Sequence, residues 1–464
     1  MSAPRFAARV ELPASADDAF AWHLRPGALQ RLTPSWERAT LVSSEGVREG
    51  GRIELSVAVG PLRRRFVARH RDVVPGRGFS DEQLEGPFRR FVHRRAFAPL
   101  GPDRCALTDE IEYELPLGAL GRLVAGRAVR RRLERLFAYR HAVLADDLRR
   151  HAELAGPPLR VAISGAGGLI GAALCALLTT GGHEVRRLVR RPGRDGEIEW
   201  DPAAGTIDAA SLRGLDAVVH LGGESLGGGR WSAARKARLV DSRVRGTALL
   251  AETLARLEGG PRILVVASAI GWYGPRREPV DEASPPGEGF LAELCGAWED
   301  AAEPARAAGL RVAHARFGLV LAAHGGALRQ LVPVFRAGLG GRVGDGTQGM
   351  SWVALDDAAA ALYAMIRRPE LAGPFDVTAP APVSNATFAR ALGRVLRRPA
   401  VLPLPAAAVR LLLGEMGQAL LLDGAFVLPG RLEAAGHRFA YRDLEGALRH
   451  VLGATRAPRA SIVE

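Results

Sequence analysis

The pattern of apolar and polar positions changes character at Gly156-Pro157-Pro158. Before that point, apolar residues alternate with polar ones. Residues 6–12 alternate in strand fashion, and residues 17–22 fit a short helix. Strand-like runs follow at 52–59, 65–73, 88–97 and 105–113. From 117 to 154 the period lengthens. Leu120, Leu123, Val124, Leu133, Leu136, Phe137, Val143, Leu144 and Leu148 recur at helical spacing. Antiparallel strands closed by one long helix form an α+β unit. His93 and His141 stand alone in this half and read as packing or surface histidines.

After the proline pair, short apolar runs alternate with helical periods. Strands are predicted at 159–164, 184–189, 217–221, 262–269 and 311–321, with helices notably at 233–257 and 291–308. Strand-helix alternation predicts a doubly wound parallel sheet of the Rossmann type with right-handed crossovers. The first strand runs into Gly165-Ala-Gly-Gly-Leu-Ile-Gly171. Gly165, Gly168 and Gly171 supply a tight turn and bare backbone, and Leu169 and Ile170 open a helix whose free N–H groups suit a pyrophosphate. A further glycine pair, Leu221-Gly222-Gly223-Glu224, follows the strand at 217–221. It lets backbone approach a cofactor at the carboxyl edge of the sheet.

The strand at 184–189 ends in Arg190 and Arg191, where an NAD site usually places an acid on the ribose. Two guanidiniums suit a 2′-phosphate, so NADP(H) is expected over NAD(H). The alternative is a pair of solvated loop arginines in an arginine-rich chain.

Composition narrows the classes. The 464 residues fit two or three domains, and no apolar run is long enough for a membrane helix. The N-terminus lacks the apolar stretch of a secretory signal. Cys105, Cys175 and Cys295 form neither a disulfide framework nor a metal pattern, so a reducing, cytoplasmic setting is expected and no metal. The net charge of +13 invites a nucleic-acid partner. Arginine carries nearly all of it, however, with Lys236 the only lysine, and acids are interleaved along most of the chain. No aromatic interleaving or groove-entering motif accompanies the basic runs, so no nucleic-acid binding is expected.

Two resemblances sharpen this picture. Val10-Glu-Leu-Pro-Ala-Ser-Ala-Asp-Asp-Ala-Phe20, Leu84-Glu-Gly-Pro-Phe88 and Asp109-Glu-Ile-Glu-Tyr-Glu-Leu-Pro-Leu-Gly118 resemble the START-like, polyketide-cyclase family. That likeness implies a helix-grip domain over 1–155. Its sheet and long helix either enclose an apolar-ligand cavity or pack a filled core. The second half resembles the extended short-chain dehydrogenase/reductases, or NAD-dependent epimerase/dehydratases. It is most similar to the sugar-nucleotide-epimerase-like branch. Gly165–Gly171, His220-Leu-Gly-Gly-Glu-Ser225, Asp241-Ser-Arg-Val-Arg-Gly-Thr247, Ala267-Ser-Ala-Ile-Gly-Trp-Tyr-Gly274 and Arg316-Phe-Gly-Leu-Val-Leu321 carry the likeness. It implies a Rossmann domain over 159–400, with a C-terminal module of the substrate lobe over 401–455. It also adds Arg243, Ser268 and Val320 to the cofactor-binding residues.

In that superfamily a Tyr and a Lys four residues later do the acid–base work, beside a Ser at the end of the preceding strand. Ser268 matches the serine. The region 293–299 has neither Tyr nor Lys; one register offers Cys295 and Glu299, another Glu293 and Ala297. Tyr273 is the nearest candidate partner for Ser268, or it is a packed loop aromatic. Two functions are therefore expected: an NADP(H)-dependent oxidoreductase or epimerase-like enzyme on a small organic substrate, or an NADP-binding sensor without turnover.

Overall fold

The computed structural model describes residues 4–60, 62–116 and 118–455. The chain forms two compact units. One holds the residues up to Ala155 with Thr179–Gly182 and the segment from Arg449; the other holds Gly156–Leu178 and His183–Leu448.

The first unit contains seven strands: β1 (Arg5–Leu12), β2 (Thr40–Ser44), β3 (Arg52–Val59), β4 (Leu62–Val74), β5 (Gly78–Glu85), β6 (Arg90–Gly101) and β7 (Arg104–Glu114). They form one antiparallel sheet in the order β1-β7-β6-β5-β4-β3-β2. Helix α1 (Ala16–Leu24) starts at Ser15, whose hydroxyl accepts the Asp18 N–H. A single turn, α2 (Ala28–Arg31), follows it, and the long helix α3 covers Gly118–Glu153. The expected start of α3 at Leu117 lies outside the described residues, as does the Leu120 side chain. Leu123 and Val124, counted above with its apolar positions, are solvent-exposed. Leu133, Phe137, Val143, Leu144 and Leu148 are buried. Two apolar clusters include four of these helix residues: Phe20, Trp22, Phe79, Phe97 and Leu107 with Leu144 and Leu148, and Phe6, Ile111 and Tyr113 with Leu133 and Phe137.

Strands β2 and β5 escaped the sequence pattern. Every residue of β2 is exposed, so no alternation marks it. In β5 (Gly-Phe-Ser-Asp-Glu-Gln-Leu-Glu) the buried Phe79 is followed two residues on by Asp81, a charge that finds its partners on neighbouring strands.

The second unit is built on an eight-stranded sheet. Its strands are β8 (Arg160–Ser164), β9 (Glu184–Val189), β10 (Glu197–Asp201), β11 (Thr206–Ile207), β12 (Ala217–His220), β13 (Ile263–Ala269), Arg311–Phe317 and Gly373–Val377. The order is β11-β10-β9-β8-β12-β13, then Arg311–Phe317 and Gly373–Val377. Only the β10–β11 pairing is antiparallel. Helices α4 (Leu169–Thr180), α5 (Ala233–Arg256) and α6 (Phe290–Asp300) fall between consecutive strands. This is the predicted doubly wound sheet. Its strand order reverses between β8 and β12, which opens a crevice at their carboxyl ends.

Two predicted elements are divided. The run 311–321 breaks at Gly318, and Leu319–Leu321 leaves the main sheet to pair with Trp352–Ala354. Gly318 permits the switch: a Cβ there would lie 2.6 Å from the Ser351 carbonyl oxygen. The helix expected at 291–308 is α6 followed by a short helix at Glu303–Ala307, with Pro304 at the second start. Residues from 401 to 448 join this same unit; Phe426–Val427 pairs with Pro279–Val280. Among the described residues no helix is long and apolar enough to cross a membrane, and no group of three His, Cys, Asp or Glu could hold a metal ion.

Candidate cofactor and substrate site

The glycine turn sits at the carboxyl end of β8. Gly165 has φ +68°, and a Cβ on it would come within 2.8 Å of the Leu221 carbonyl oxygen. Both facts demand glycine. The Gly168 N–H donates to the Gly165 carbonyl at 2.9 Å, closing the turn. A Cβ on Gly171 would lie 2.2 Å from that same oxygen, so α4 packs directly on the turn. The helix then begins at Leu169 with its first N–H groups free of helical partners. Leu169 and Ile170 are half-buried, and Leu169 packs on Gly325.

A buried pair aligns the two strand ends that flank the crevice. The Ser164 hydroxyl accepts the Leu221 N–H at 3.2 Å and lies 2.6 Å from His220 Nδ1. Burial, with Arg243 adding to it, lowers the His220 imidazole to about 4, so the ring is neutral. Beyond it, Gly222-Gly223-Glu224 is held by α5. Ser242 Oγ accepts the Glu224 N–H at 3.1 Å, Arg243 donates to the Glu224 carbonyl at 2.9 Å, and Arg235 donates to the Glu224 carboxylate at 2.7 Å. Arg243 is buried and packs against Gly223, where a Cβ would lie 3.3 Å from its guanidinium carbon. The structure thus gives Arg243 a supporting task under the second glycine pair. Arg190 is exposed at the end of β9. Arg191 is exposed too and is paired with Glu197 at 2.8 Å. Val320 lies on Leu319–Leu321, near the Gly325–Gly326 turn.

Ser268 and Tyr273 are brought together, but by an ion-pair network rather than at an open wall. The Ser268 hydroxyl donates to Glu299 Oε1 at 2.7 Å. Arg316 clamps both oxygens of Glu299, at 2.7 and 2.8 Å. It also donates to the Tyr273 hydroxyl at 3.1 Å and stacks 4.0 Å above the Trp272 ring. Tyr273 in turn donates to Asp376 Oδ2 at 2.7 Å. Tyr273 is fully buried, and burial, reinforced by Asp376, pushes its phenol far above the usual range. Of the residues in the two registers, Glu299 is the one that accepts from Ser268. Glu293 is exposed, and the buried Cys295 thiol faces the Ala269 carbonyl.

Burial pushes the Asp376 carboxyl up to about 8, with Glu282 adding to the shift. Its Oδ1 is buried without a hydrogen-bond partner, as befits a neutral carboxyl. A folded value above the ordinary 3.8 means that the native state keeps a proton the unfolded chain has lost. The stability this contributes is full at low pH and is lost as pH rises toward about 8. Asp376→Asn, neutral at every pH, is expected to flatten that decline. Melting temperatures at pH 5 and pH 8.5 test it; equal declines in variant and native protein would refute the assignment.

Beside this network lies a cavity of about 470 Å³. Ala269, Ile270 and Gly271, just past Ser268, form part of its wall, with Gly318 and Leu319. Trp231, Phe290, Leu331, Phe335, Met350 and Phe388 make most of the rest apolar, and residues 415–425 of the C-terminal segment complete it. Neither Ser268 nor Tyr273 is among the lining residues.

The first unit holds a polar cluster that sequence reading missed. His93 and His141 are not single residues: both place Nε2 on Asp109, at 2.7 and 2.8 Å. A second carboxylate, Asp81, accepts from His70 and Arg95, each at 2.7 Å. Burial alone would raise the Asp109 carboxyl, but the hydrogen bonds from His141 and His93 hold it well below the usual range. The one signal in the sequence was the polar residues at inward positions of β5, β6 and β7.

Comparison with known proteins fits this architecture. The model of the NAD dependent epimerase/dehydratase family matches residues 161–377, that of a domain of unknown function (DUF1731) residues 404–451, and that of the polyketide cyclase / dehydrase and lipid transport family residues 12–137. Epimerase family protein Mb2239 of Mycobacterium bovis is 45% identical over 290 residues, 62% of this chain and 96% of that protein. The crystal structure of a nucleoside-diphosphate sugar epimerase from Corynebacterium glutamicum aligns with 97% of this chain and 90% of its own, at 33% identity and TM-score 0.80. That of human epimerase family protein SDR39U1 with NADPH covers 63% of this chain and 99% of its own, at 34% identity and TM-score 0.59. The fold and the glycine turn define an epimerase-type nucleotide-binding protein. The chain belongs to the NAD dependent epimerase/dehydratase family, with a polyketide-cyclase-type domain at its N-terminus.

Proposed function

We propose that the second unit binds NADP(H) in the crevice between β8 and β12 and acts as an oxidoreductase or epimerase-like enzyme on a small organic substrate held in the adjoining cavity. The observation that carries this reading is the Gly165–Gly171 cradle, where any Cβ on Gly165 or Gly171 would fill backbone space beside a free helix N-terminus. Human SDR39U1, which matches this unit, was crystallised with NADPH. Bound there, the cofactor supplies or accepts a hydride. The chain's own residues divide the remaining work. Gly165, Gly168, Leu169, Ile170 and Gly171 seat the pyrophosphate. Leu221, Gly222, Gly223 and Glu224, backed by Arg243, give it a second wall, and Val320 closes a side. Arg190 and Arg191 meet the 2′-phosphate, Arg191 by exchanging Glu197 for it. Ser268 and Tyr273 are positioning residues. Through Glu299 and Arg316 they hold the Ala269–Gly271 backbone that forms the cavity wall.

Titration of the protein with NADPH and NADH tests the cofactor assignment. NADPH is expected to bind at least about tenfold more tightly, a difference of about 1.4 kcal/mol, and Arg190→Ala to erase most of that margin. Equal affinities would refute it. The first unit is proposed to be a helix-grip domain that carries an apolar small molecule, and native mass spectrometry of the same preparation would reveal one retained on purification.

One observation favours a second reading, an NADP sensor without turnover. The region 293–299 lacks the Tyr and Lys of the family's usual pair, and Ser268 and Tyr273 stand off the cavity wall. Absence of NADPH consumption across a broad carbonyl panel, with tight cofactor binding, would support it.

A further inference from the structure

The arginine runs at 63–65 and 130–132 have no part in the nucleotide-binding unit, and the fold of the first unit brings them to one end of its sheet. Strands β3, β5 and β7 finish at that end, β4 and β6 begin there, and α3 starts just beyond β7. Val59 pairs with Leu62 across the β3–β4 turn, and Ala58 with Arg63. Arg132 of α3 donates to the Ala58 carbonyl at 3.4 Å, so the helix lies beside that turn.

Part of the positive charge is neutralised. Arg65 is paired with Glu54 and Glu85, Arg130 with Glu134, Arg132 with Glu37, and both Arg5 and Arg90 with Glu112. Arg63, Arg64, Arg89, Arg127 and Arg131 are exposed, and among the described residues no carboxylate is paired with any of them. Arg63 reaches only the hydroxyls of Thr40 and Ser56. Glu114, at the end of β7, is a carboxylate here without an ion pair of its own.

Bare apolar side chains stand among these charges. Leu62 at the β3–β4 turn is 58% exposed, and Leu123 and Val124 on α3 are 84% and 78% exposed. Leu123, Arg127 and Arg131 follow at four-residue spacing and share one face of the helix. Ala125, Val129, Leu133 and Phe137 pack on the sheet from the other face. The first turns of α3 thus carry leucine, valine and arginine outward.

Apolar surface in water is unfavourable, and like charges crowded at one end repel. Both costs fall against a surface that has negative charge at its face and an apolar layer just beneath, as an anionic bilayer has. Guanidinium groups bind lipid phosphate in bidentate fashion while leucine and valine reach the acyl boundary. A nucleic acid offers no such layer, and the aromatics of this end, Phe66, Phe88 and Phe91, pack on one another rather than facing bases. A second copy related by a two-fold axis would set arginine against arginine.

We propose that this end of the first unit docks on the surface of an anionic lipid bilayer. Leu62, Leu123 and Val124 enter the boundary between headgroups and acyl chains, and Arg63, Arg64, Arg89, Arg127 and Arg131 contact the lipid phosphates. The proposal is independent of the cofactor reading.

Co-sedimentation of the full chain with vesicles tests it, using phosphatidylcholine alone and an equal mixture of phosphatidylcholine and phosphatidylglycerol. Binding to the mixed vesicles is expected to be at least about tenfold tighter than to the neutral ones, and to weaken as salt is raised. Arg64→Glu combined with Arg131→Glu should weaken it at least about tenfold. Leu123→Ser combined with Val124→Ser should do the same without changing any charge, by at least about tenfold. Arg213→Glu combined with Arg256→Glu reverses as much charge at exposed positions of the second unit and should leave binding unchanged. All six positions are exposed, and thermal melts confirm that the variants fold. No binding to the mixed vesicles, equal binding to the neutral ones, or binding that survives either patch variant would overturn the proposal. An equal loss in the Arg213/Arg256 variant would overturn it too, by reducing the attraction to net charge. So would tighter binding to duplex DNA or RNA than to vesicles, or a dimer in sedimentation velocity that Leu123→Ser with Val124→Ser splits.

Discussion

Gly168→Val is expected to weaken NADPH binding by at least about 100-fold, or roughly 2.7 kcal/mol, while leaving both units folded. Gly168 is exposed at the mouth of the crevice, one residue before α4, and its N–H closes the turn on Gly165. A Cβ there would lie 3.1 Å from the Gly165 oxygen, a contact the turn can absorb with a small shift. The two further methyl groups of valine then occupy the space where a pyrophosphate must approach the backbone. Gly171→Val would be less informative. Its Cβ would collide with the Gly165 oxygen at 2.2 Å and disrupt the packing of α4 itself. Fluorescence titration with NADPH, alongside circular dichroism, separates the two effects. Unchanged affinity in a folded Gly168→Val protein would place the cofactor elsewhere.

The second large effect is expected in the first unit. Asp109 is 3% exposed and accepts from His93 on β6 and His141 on α3, so one carboxylate joins the sheet to the long helix. Asp109→Leu removes the acceptor and strands two buried imidazole N–H groups. Breaking a buried, hydrogen-bonded charge cluster from one side costs about 3–5 kcal/mol. For a unit of this size that lowers the melting temperature by roughly 10 °C. Because the Asp109 carboxyl is held below its ordinary value, this contribution is present at neutral pH and fades as acid titrates it. Calorimetry of the full chain at pH 7 measures the loss, and a second measurement below about pH 3 its shrinkage, because the contribution fades only as pH falls below the ordinary 3.8. The exposed pair Arg104–Glu11 is a built-in contrast: Glu11→Gln should cost under about 1 kcal/mol, since water solvates both partners. Equal effects from the two substitutions would show that Asp109 is not an anchor.

Much of this molecule was legible from the order of its residues. The division at Gly156-Pro157-Pro158, the change of period around it and the Gly165–Gly171 turn are local properties. Alternation, helical spacing and a glycine required by positive φ are dictated by backbone geometry over a few residues, and the sequence displays them directly. The same holds for Ser268 at a strand end and for the glycine pair after β12. What β5 and β2 are, and where the run 311–321 leaves the sheet, depended on neighbours. A polar strand is stable only when its partners supply counter-charges, and a strand switches sheets only where another backbone passes close by.

The chemistry of the side chains depended on tertiary structure still more. Ser268 meets Glu299 and Arg316, and Tyr273 meets Asp376 more than a hundred residues away, because the sheet order sets β13 beside Arg311–Phe317 and that strand beside Gly373–Val377. His93 and His141 become partners of one carboxylate only once α3 lies against the sheet. The cavity draws its wall from residues 226 to 425, so its largely apolar character is a property of that assembled surface and of no single segment. The sequence by itself determined most of the elements and the cofactor turn, because those follow from local backbone constraints. The tertiary structure alone decided which polar groups neutralise one another and which line the cavity, because electrostatic pairing is set by distance in space rather than by separation along the chain.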